Sequence, residues 1–560
     1  MYILGISCFY HDSSACLLKD GVIVAAAQEE RFNRDKYSPV FPIQSINFCL
    51  QQAGITSYDI DHITFYEKMY LKFERTILSH VVGFPYTFTN FLETMPLWLK
   101  DRLIVPLYIK EELTYSKNIS FVKHHMSHAA SSFFLSGFEQ AAILTVDGVG
   151  EYASATYGFA NGIDIEIYKE ISYPHSLGLL YSIVTAYLGF RVFSGEGKVM
   201  ALAEYGEPNF LSQFKKIIEI RDDGSFYMNL DFFSFNRGEK MHNKKFEELF
   251  GEERKENDSI EKRHLDIASS LQKVTEEILL KMANHVYQVT KSKNLCLAGG
   301  VFLNVTANSR ILNETPFENV YIQPAAGDAG SAIGSALFYH HCVLRNTQKN
   351  KLLNASLGPS YSNGQIEVLL KNKRLKYVKL DLEEKLIEKT ANLIAEGKVV
   401  GWFTGRMEFG PRALGNRSML ADPRSSTMRD WLNQTIKNRE SFRPFGASVL
   451  LEEVSECFDF SDESPYMLHV ANIKEKYLKK IPAVCHVNNT SRIQTVTENA
   501  NGRYYRLIKK FYELTGVPMI LNTSLNDSEP IVNTPNQAIE LFMRTKMDVL
   551  VIEDFVVEKQ

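Results

Sequence analysis

The stretch "AAILTVDGVGEYASATYGFANGIDIEIYKEI", residues 141–171, is where the fold can first be read. An apolar run ends on Asp147 and passes into small, glycine-rich sequence. A second, alternating run then turns at Asn161-Gly162, a dipeptide that tolerates the positive φ values of a tight hairpin. The N-terminus repeats the plan. "YILGIS" enters the loop "CFYHDSS", and "ACLLKDGVIVAAAQEE" turns at Asp20-Gly21, 141 residues before Asn161-Gly162. A strand, a polar loop and a strand–turn–strand thus occur twice in one order, which points to an internal duplication.

Two such lobes facing one another are the plan of the actin, Hsp70 and sugar-kinase fold, which binds nucleotide between its halves. Further segments fit that α/β plan. Leu271, Val274, Ile278 and Met282 form a helical stripe in "SSLQKVTEEILLKMANHV". "NLCLAGGVFLNVTANSRIL" predicts a strand that runs into Gly299-Gly300 and then a helix, so that backbone can approach a ligand. "VYIQPAAGDAGSAIGSAL" predicts a fourth strand and glycine turn. Gly148, Gly150, Gly299, Gly300, Asn304 and Gly327 are the nucleotide-binding candidates. From residue 340, "HHCVLRNTQKNKLLNASLGPSYSNG" is polar and turn-rich. The expected organisation is a duplicated domain over 1–345, a linker over 346–360 and a separate α/β domain over 361–560.

Composition narrows the class. At 560 residues, more than one core is expected, and 45% hydrophobic with 23% charged residues is ordinary for a soluble protein. A net charge of −4 argues against a generic nucleic-acid or anionic-membrane binder, so neither nucleic acid nor a membrane is expected as partner. The seven cysteines form no C-x-x-C pair, a reduced pattern. "MYILGISCFYHDSSACLL" lacks a basic leader, and Asp12 interrupts it. No uncharged apolar run has the length of about 18 residues that a spanning helix needs. The expected location is the cytoplasm.

Three constellations carry chemistry. In "HHMSHAASSFF" a helix would project His124 and His128 from one face, with His125 turned away. Asp147 and Asp328 ("GDAGSA") would complete two nitrogens and two carboxylates, a set suited to iron, manganese or zinc. A capping histidine and a turn-holding aspartate are the plainer alternative. Residues 401–450 contain eight Lys/Arg against four Asp/Glu. Arginines of this stretch ("FGPRALG", "SFRPFG") and Arg492 beyond it ("TSRIQTV") lie in apolar sequence, where an unpaired charge is costly, so a phosphate pocket is favoured over a solvated face. Finally, His11 in "FYHDSSA" is placed to act as a general base, or simply to bond within its loop, and Lys36 follows in "EERFNRDKYSP".

The motifs "GISCFYHDSSACLL", "EERFNRDK", "HHMSHAAS", "VDGVGE", "LAGGVFLN", "GDAGSAIGSAL", "GPRALGNRS", "FRPFGASVL" and "LNTSLN" occur in the order found in bacterial O-carbamoyltransferases of the nodulation-protein-U type. The chain resembles that family from its first strand to near its C-terminus. The resemblance implies an actin-like module, similar to the metal-binding protein that makes threonylcarbamoyl-adenosine on tRNA, fused to a YrdC-like module. It implies that carbamoyl phosphate and ATP, with magnesium, give carbamoyl adenylate in the second module. The first module then transfers the carbamoyl group to an alcohol and releases AMP. Carried over by motif, His124, His128, Asp147 and Asp328 are the metal ligands, with iron the favoured ion. Arg412, Lys437, Arg443, Arg492 and Ser524 bind carbamoyl phosphate, His11 is the transfer base and Lys36 lies in the same cleft as His11. Two stretches depart from the pattern. "HVNNTSRIQTV" has Asn488-Asn489 where the family pattern, roughly "HVDGTARVQTV", has Asp-Gly, and "LNTSLNDSEPIV" lacks the usual aromatic and lysine or glycine.

A sugar kinase would explain the duplicated lobes but not the histidine pair or the arginines. A tRNA-modifying fusion would call for a basic surface, and a scaffold protein would not need every ligand. The expected acceptor is a small hydroxylated molecule. The aromatic-rich residues 86–110 read as its pocket, as the face of a homodimer, or as helical core.

Overall fold

In the computed structural model, which describes residues 1–235 and 240–559, the duplication is visible as strand order. Strands β1 (Tyr2–Ser7), β2 (Ser14–Lys19), β3 (Val22–Gln28), β4 (His62–Phe65) and β5 (Ile119–Phe121) form one sheet in the order β3-β2-β1-β4-β5. Strands β6 (Gln140–Val146), β7 (Ala153–Asn161), β8 (Asp164–Ser172), β9 (Asn294–Ala298) and β10 (Asn319–Ile322) form another, β8-β7-β6-β9-β10. In each, the first strand runs antiparallel to the second and parallel to the fourth, and the fourth runs parallel to the fifth. Identical order and sense make the two sheets copies of one motif, the plan of the actin-like fold.

The chain divides into two units. The first is Met1–Ala26 with Tyr37–Lys351, and the second is Ala27–Lys36 with the chain from Leu352. This differs from the expected division in two places. Ten residues, from the end of β3 through Lys36, belong to the second unit. The expected linker is also split, because residues from Leu352 pair with the loop that follows Phe403. Gly358 N donates to Met407 O at 2.8 Å, Met407 N to Pro359 O at 2.9 Å and Phe409 N to Ala355 O at 2.7 Å. Polar, turn-rich composition reads as linker, yet here its backbone groups are used in pairing.

In the first unit, helix α1 (His124–Ser136) is buried along almost its whole length, as is α3 (Asp328–Phe338), while the long α2 (Lys262–Thr290) buries the stripe Leu271, Val274, Ile278 and Met282. Helices α1 and α3 touch closely. A Cβ on Gly334 would lie 1.8 Å from Ser127 O, so only glycine fits that contact. Residues 86–110 are mostly helical, with turns at 86–87 and 103–104, and Met95, Trp98, Val105 and Ile109 join the core of the first lobe. Burying each such side chain contributes about 1.5–3 kcal/mol.

The second unit is built on a nine-stranded sheet. Its strands are β11 (Tyr377–Lys379), β12 (Val400–Phe403), β13 (Arg417–Ala421), β14 (Gly446–Leu450), β15 (His469–Asn472), β16 (Thr490–Val496), β17 (Met519–Ser524), β18 (Val549–Ile552) and β19 (Phe555–Glu558). The order is β11-β19-β18-β12-β13-β17-β14-β16-β15.

Candidate functional site

Asp147 directly follows β6, Asp328 opens α3, and the first turns of α1 carry His124 and His128. These elements bring four donor atoms into one buried cluster. His124 Nε2 lies 3.1 Å from Asp147 Oδ2 and 3.6 Å from Asp328 Oδ1. His128 Nε2 lies 3.6 and 3.5 Å from the same two oxygens, and the two Nε2 atoms are 3.1 Å apart. Four donors around a first-row divalent ion in a tetrahedron stand about 3.4 Å apart, so the set fits such an ion. Both oxygens of Asp328 are fully buried without a hydrogen bond, an expensive arrangement unless a cation faces them.

The surroundings hold the donors in place. Gly300 N donates to Asp147 Oδ1 at 2.9 Å, and Ser331 Oγ is 3.3 Å from His128 Nδ1. Glu151 accepts from His124 N, and Glu67 Oε2 lies 3.9 Å from His124 Nδ1 while paired to Lys72. His125 turns away as its spacing predicts. It bonds Thr145 Oγ1 and Ala153 O, and burial pulls its pKa down to about 3, which keeps it a neutral structural group. Burial disfavours the cations of His128 and His11, but the neighbouring aspartates outweigh this and raise both to about 9. His11 Nδ1 bonds Asp12 Oδ2 at 2.8 Å, which leaves Nε2 3.7 Å from Asp328 Oδ2.

The glycine loops sort into two kinds. A Cβ on Gly148 would meet nothing within 4 Å, and one on Gly327 only Gly300 Cα at 4.0 Å. Gly299, with φ of +105°, packs against Val146, Gly150 lies against the His124 side chain, and Gly300 uses its N–H on Asp147. Asn304 caps the following helix through Ala307 N and exchanges bonds with Gln272.

The second unit gathers cations. Arg492 in β16 stands opposite Gly446 in β14, whose other neighbour, Asn522, lies in β17. Ser524 ends β17, and its carbonyl and that of Asn526 accept from Lys437 Nζ at 2.5 and 2.9 Å. Burial holds Lys437 well below the usual lysine range, reinforced by Arg439, Arg443 and Lys36. Burial likewise lowers Arg492, with Arg412, Arg439 and Arg443 adding repulsion. Lys36, Arg412, Lys437, Arg439, Arg443 and Arg492 thus form a set of six like charges that repel one another, an arrangement that an anion would relieve. The Arg412 loop is pinned on both sides: Asn522 donates to Ala413 O, Gln494 to Leu414 O, and Glu408 accepts from Leu414 N and Asn416 N.

The family described as Carbamoyltransferase N-terminus matches residues 2–337, and that described as Carbamoyltransferase C-terminus matches 391–559. The chain belongs to the carbamoyltransferase family. It is 45% identical to the uncharacterized protein sll1178 of Synechocystis over 100% of this chain and 97% of that one. It is 36% identical to the nodulation protein NolNO of Sinorhizobium fredii over 99% and 79%. Among solved structures, full-length HypF in its phosphate- and nucleotide-bound form aligns at 14% identity and a TM-score of 0.35, over 62% of this chain and 56% of that one. So distant a likeness carries no residue's role.

In this carbamoyltransferase Lys36 is not in the unit that holds His11. It belongs to the second unit, where burial lowers its pKa and Arg443 adds to the effect. Arg439, Asn526, Glu67 and Glu151 escaped the sequence reading. Arg439 lies between Lys437 and Arg443, and Glu151 closes "VDGVGE", so adjacency was the only signal. Conversely, not every arginine of 401–450 serves the pocket. Arg417 is buried over the Phe403 ring at 3.6 Å and donates to Thr404 O and Pro359 O, and Arg424 pairs with Asp422.

Both departures from the family pattern acquire a physical account. Asn489 adopts φ of +61°, the left-handed region that glycine would occupy and that asparagine tolerates best among other residues. Asn488 Oδ1 accepts from Thr490 N and Oγ1, the bonds an aspartate would accept. In "LNDSEPIV", Asp527 and Glu529 pair with Arg544, and Glu529 also pairs with Arg34.

Proposed function

We propose that this carbamoyltransferase makes a carbamoyl adenylate in its second unit and consumes it in its first. The observation that carries this reading is that each unit holds a different and self-sufficient chemistry: a cage of two histidines and two aspartates in one, and a pocket of mutually repelling cations in the other.

In the second unit, Arg412, Arg439, Arg443 and Arg492 grip the phosphoryl oxygens of carbamoyl phosphate, and Lys437 is held beside Ser524 and Asn526. Their charge is stabilising as water releases phosphate and leaves carbamate. A carbamate oxygen then attacks the α-phosphorus of ATP, and pyrophosphate departs. The new anhydride has a nucleotide handle, whose binding energy orients the acyl carbon. In the first unit, His11 is oriented by Asp12 and regains its neutral form when a cation in the cage offsets the aspartates that raise its pKa. His11 then takes the proton of an acceptor alcohol as the alcohol oxygen attacks the acyl carbon and AMP leaves. His124, His128, Asp147 and Asp328 would hold a divalent ion, with iron the first choice, which when bound supplies Lewis acidity toward an adenylate oxygen. The acceptor class we favour is a small hydroxylated natural product or sugar.

Incubation with carbamoyl phosphate, ATP and a panel of alcohols tests the reading. Each carbamate ester should be matched by one AMP, one pyrophosphate and one phosphate. ADP as the sole nucleotide product would replace this reading with that of a kinase.

A further inference from the structure

Residues 188–195 join helix Leu177–Tyr187 to helix Glu196–Ala203. Within them Phe193 adopts φ of +70°, a left-handed conformation that is strained for a bulky side chain. The same loop has glycine at position 189, where φ is +72°. The turn at Phe193 is clamped: Glu196 Oε1 accepts from Phe193 N at 3.1 Å and from Ser182 Oγ at 2.9 Å. Phe193 nonetheless remains 47% exposed. A strained residue that stands half in water returns little to the stability of the fold, and strain held in place in this way points to function.

The neighbours of the ring identify that function. Its centre lies 4.7 Å from that of His11, at an interplanar angle of 41°, and 5.9 Å from that of Tyr10, edge on at 82°. Lys72 Nζ, paired to Glu67, lies 4.5 Å from the Tyr10 ring centre. His11 uses Nδ1 on Asp12, which leaves Nε2 for a hydroxyl. Phe193 is thus a half-exposed apolar surface directly against the base of the transfer step. The aspartates around His11 are suited to hydroxyls, but not to the carbon skeleton that carries them. An aromatic ring supplies that complement: it takes the C–H face of a saturated ring out of water and leaves the hydroxyls at the edge to bond. A linear polyol presents no flat face of this kind.

We propose that Phe193 is the acceptor-positioning residue of this enzyme, its ring seating the C–H face of a cyclic alcohol so that one hydroxyl meets His11. The inference rests on the reading of His11 as the transfer base, and it narrows the acceptor to sugars and other alcohols borne on a saturated ring. The left-handed φ and the Glu196 clamp then have a purpose, since together they hold the ring against His11 instead of letting it collapse into the core. Glycine relaxes that backbone while removing the ring, so F193G tests the ring without adding strain.

The test is carbamate ester formation by the metal-loaded full-length enzyme with carbamoyl phosphate, ATP and a panel of methyl pyranosides and cyclitols, each paired with a linear polyol of equal carbon number. The unaltered enzyme should prefer the cyclic member of a pair. F193G should raise the KM for that alcohol at least about tenfold, with a much smaller change in kcat. Metal content and pyrophosphate release should stay as they were. F193L, apolar but without a flat face, should raise the KM in the same way and replaces F193G if that variant folds poorly. F193W should restore the KM. An unchanged KM in F193G and F193L, no restoration by F193W, or no ester from any cyclic alcohol overturns the proposal. Pyrophosphate release by the unaltered enzyme without an acceptor judges the carbamoyl adenylate reading separately.

Discussion

His469 shows how one buried side chain ties this fold to pH. Burial drives its pKa from 6.5 down to about 4, with Nδ1 near Ser464 Oγ and Nε2 unpartnered. Between those values the unfolded chain binds a proton that the folded chain refuses. The group's contribution is therefore complete above about 6.5 and is lost as pH falls toward 4, by on the order of 2–3 kcal/mol. Urea midpoints of the second unit should fall over that window, and the H469L variant should show a flatter dependence; equal slopes would refute the assignment. Asn489 poses a backbone question of the same size. With φ of +61°, N489A should cost about 1–2 kcal/mol and N489G less, read from thermal melting. Equal losses in the two variants would mean that the side chain, not the backbone, matters there.

Among the elements, the ten-residue strap Ala27–Lys36 is the most consequential. Arg31 donates to Gly410 O at 2.6 Å, and Gln28 Oε1 accepts from Gly410 N, so the strap holds the loop that carries Arg412. Arg34 donates to Ile531 O at 2.8 Å and Pro530 O at 2.5 Å, holding the loop after Ser524. The Arg412 loop and the loop after Ser524 thus both depend on a piece of chain whose last residue precedes His124 by 88 residues. R34A should raise the KM for carbamoyl phosphate about tenfold, by loss of charged hydrogen bonds. The metal content of the His124 cage should stay unchanged. A fall in metal content with no change in KM would assign Arg34 elsewhere.

For the complete chain, division of labour predicts separable failures. H124A should lose bound metal and carbamoyl transfer while still releasing pyrophosphate from ATP and carbamoyl phosphate. K437A should keep its metal but release pyrophosphate at least about 100-fold more slowly, since the pocket loses a buried cation. Metal analysis and a pyrophosphate assay on the two purified variants decide it. Simultaneous loss of both activities in each variant would argue against two chambers.

The sequence by itself determined the duplicated lobes and the four donors. Strand alternation, the Asp-Gly and Asn-Gly turns and the four-residue spacing of His124 and His128 are local properties that survive any packing. Clustering of cations in 401–450 was legible for the same reason. Their sorting was not, because whether Arg417 faces a ring and carbonyls or a phosphate depends on which residues fold over it. The unit to which Lys36 belongs, the placement of Arg439 and Glu67 and the pairing of the supposed linker likewise depend on contacts across long sequence separation. Periodicity reports which face of an element is apolar, but it carries no information about which distant segment will cover that face.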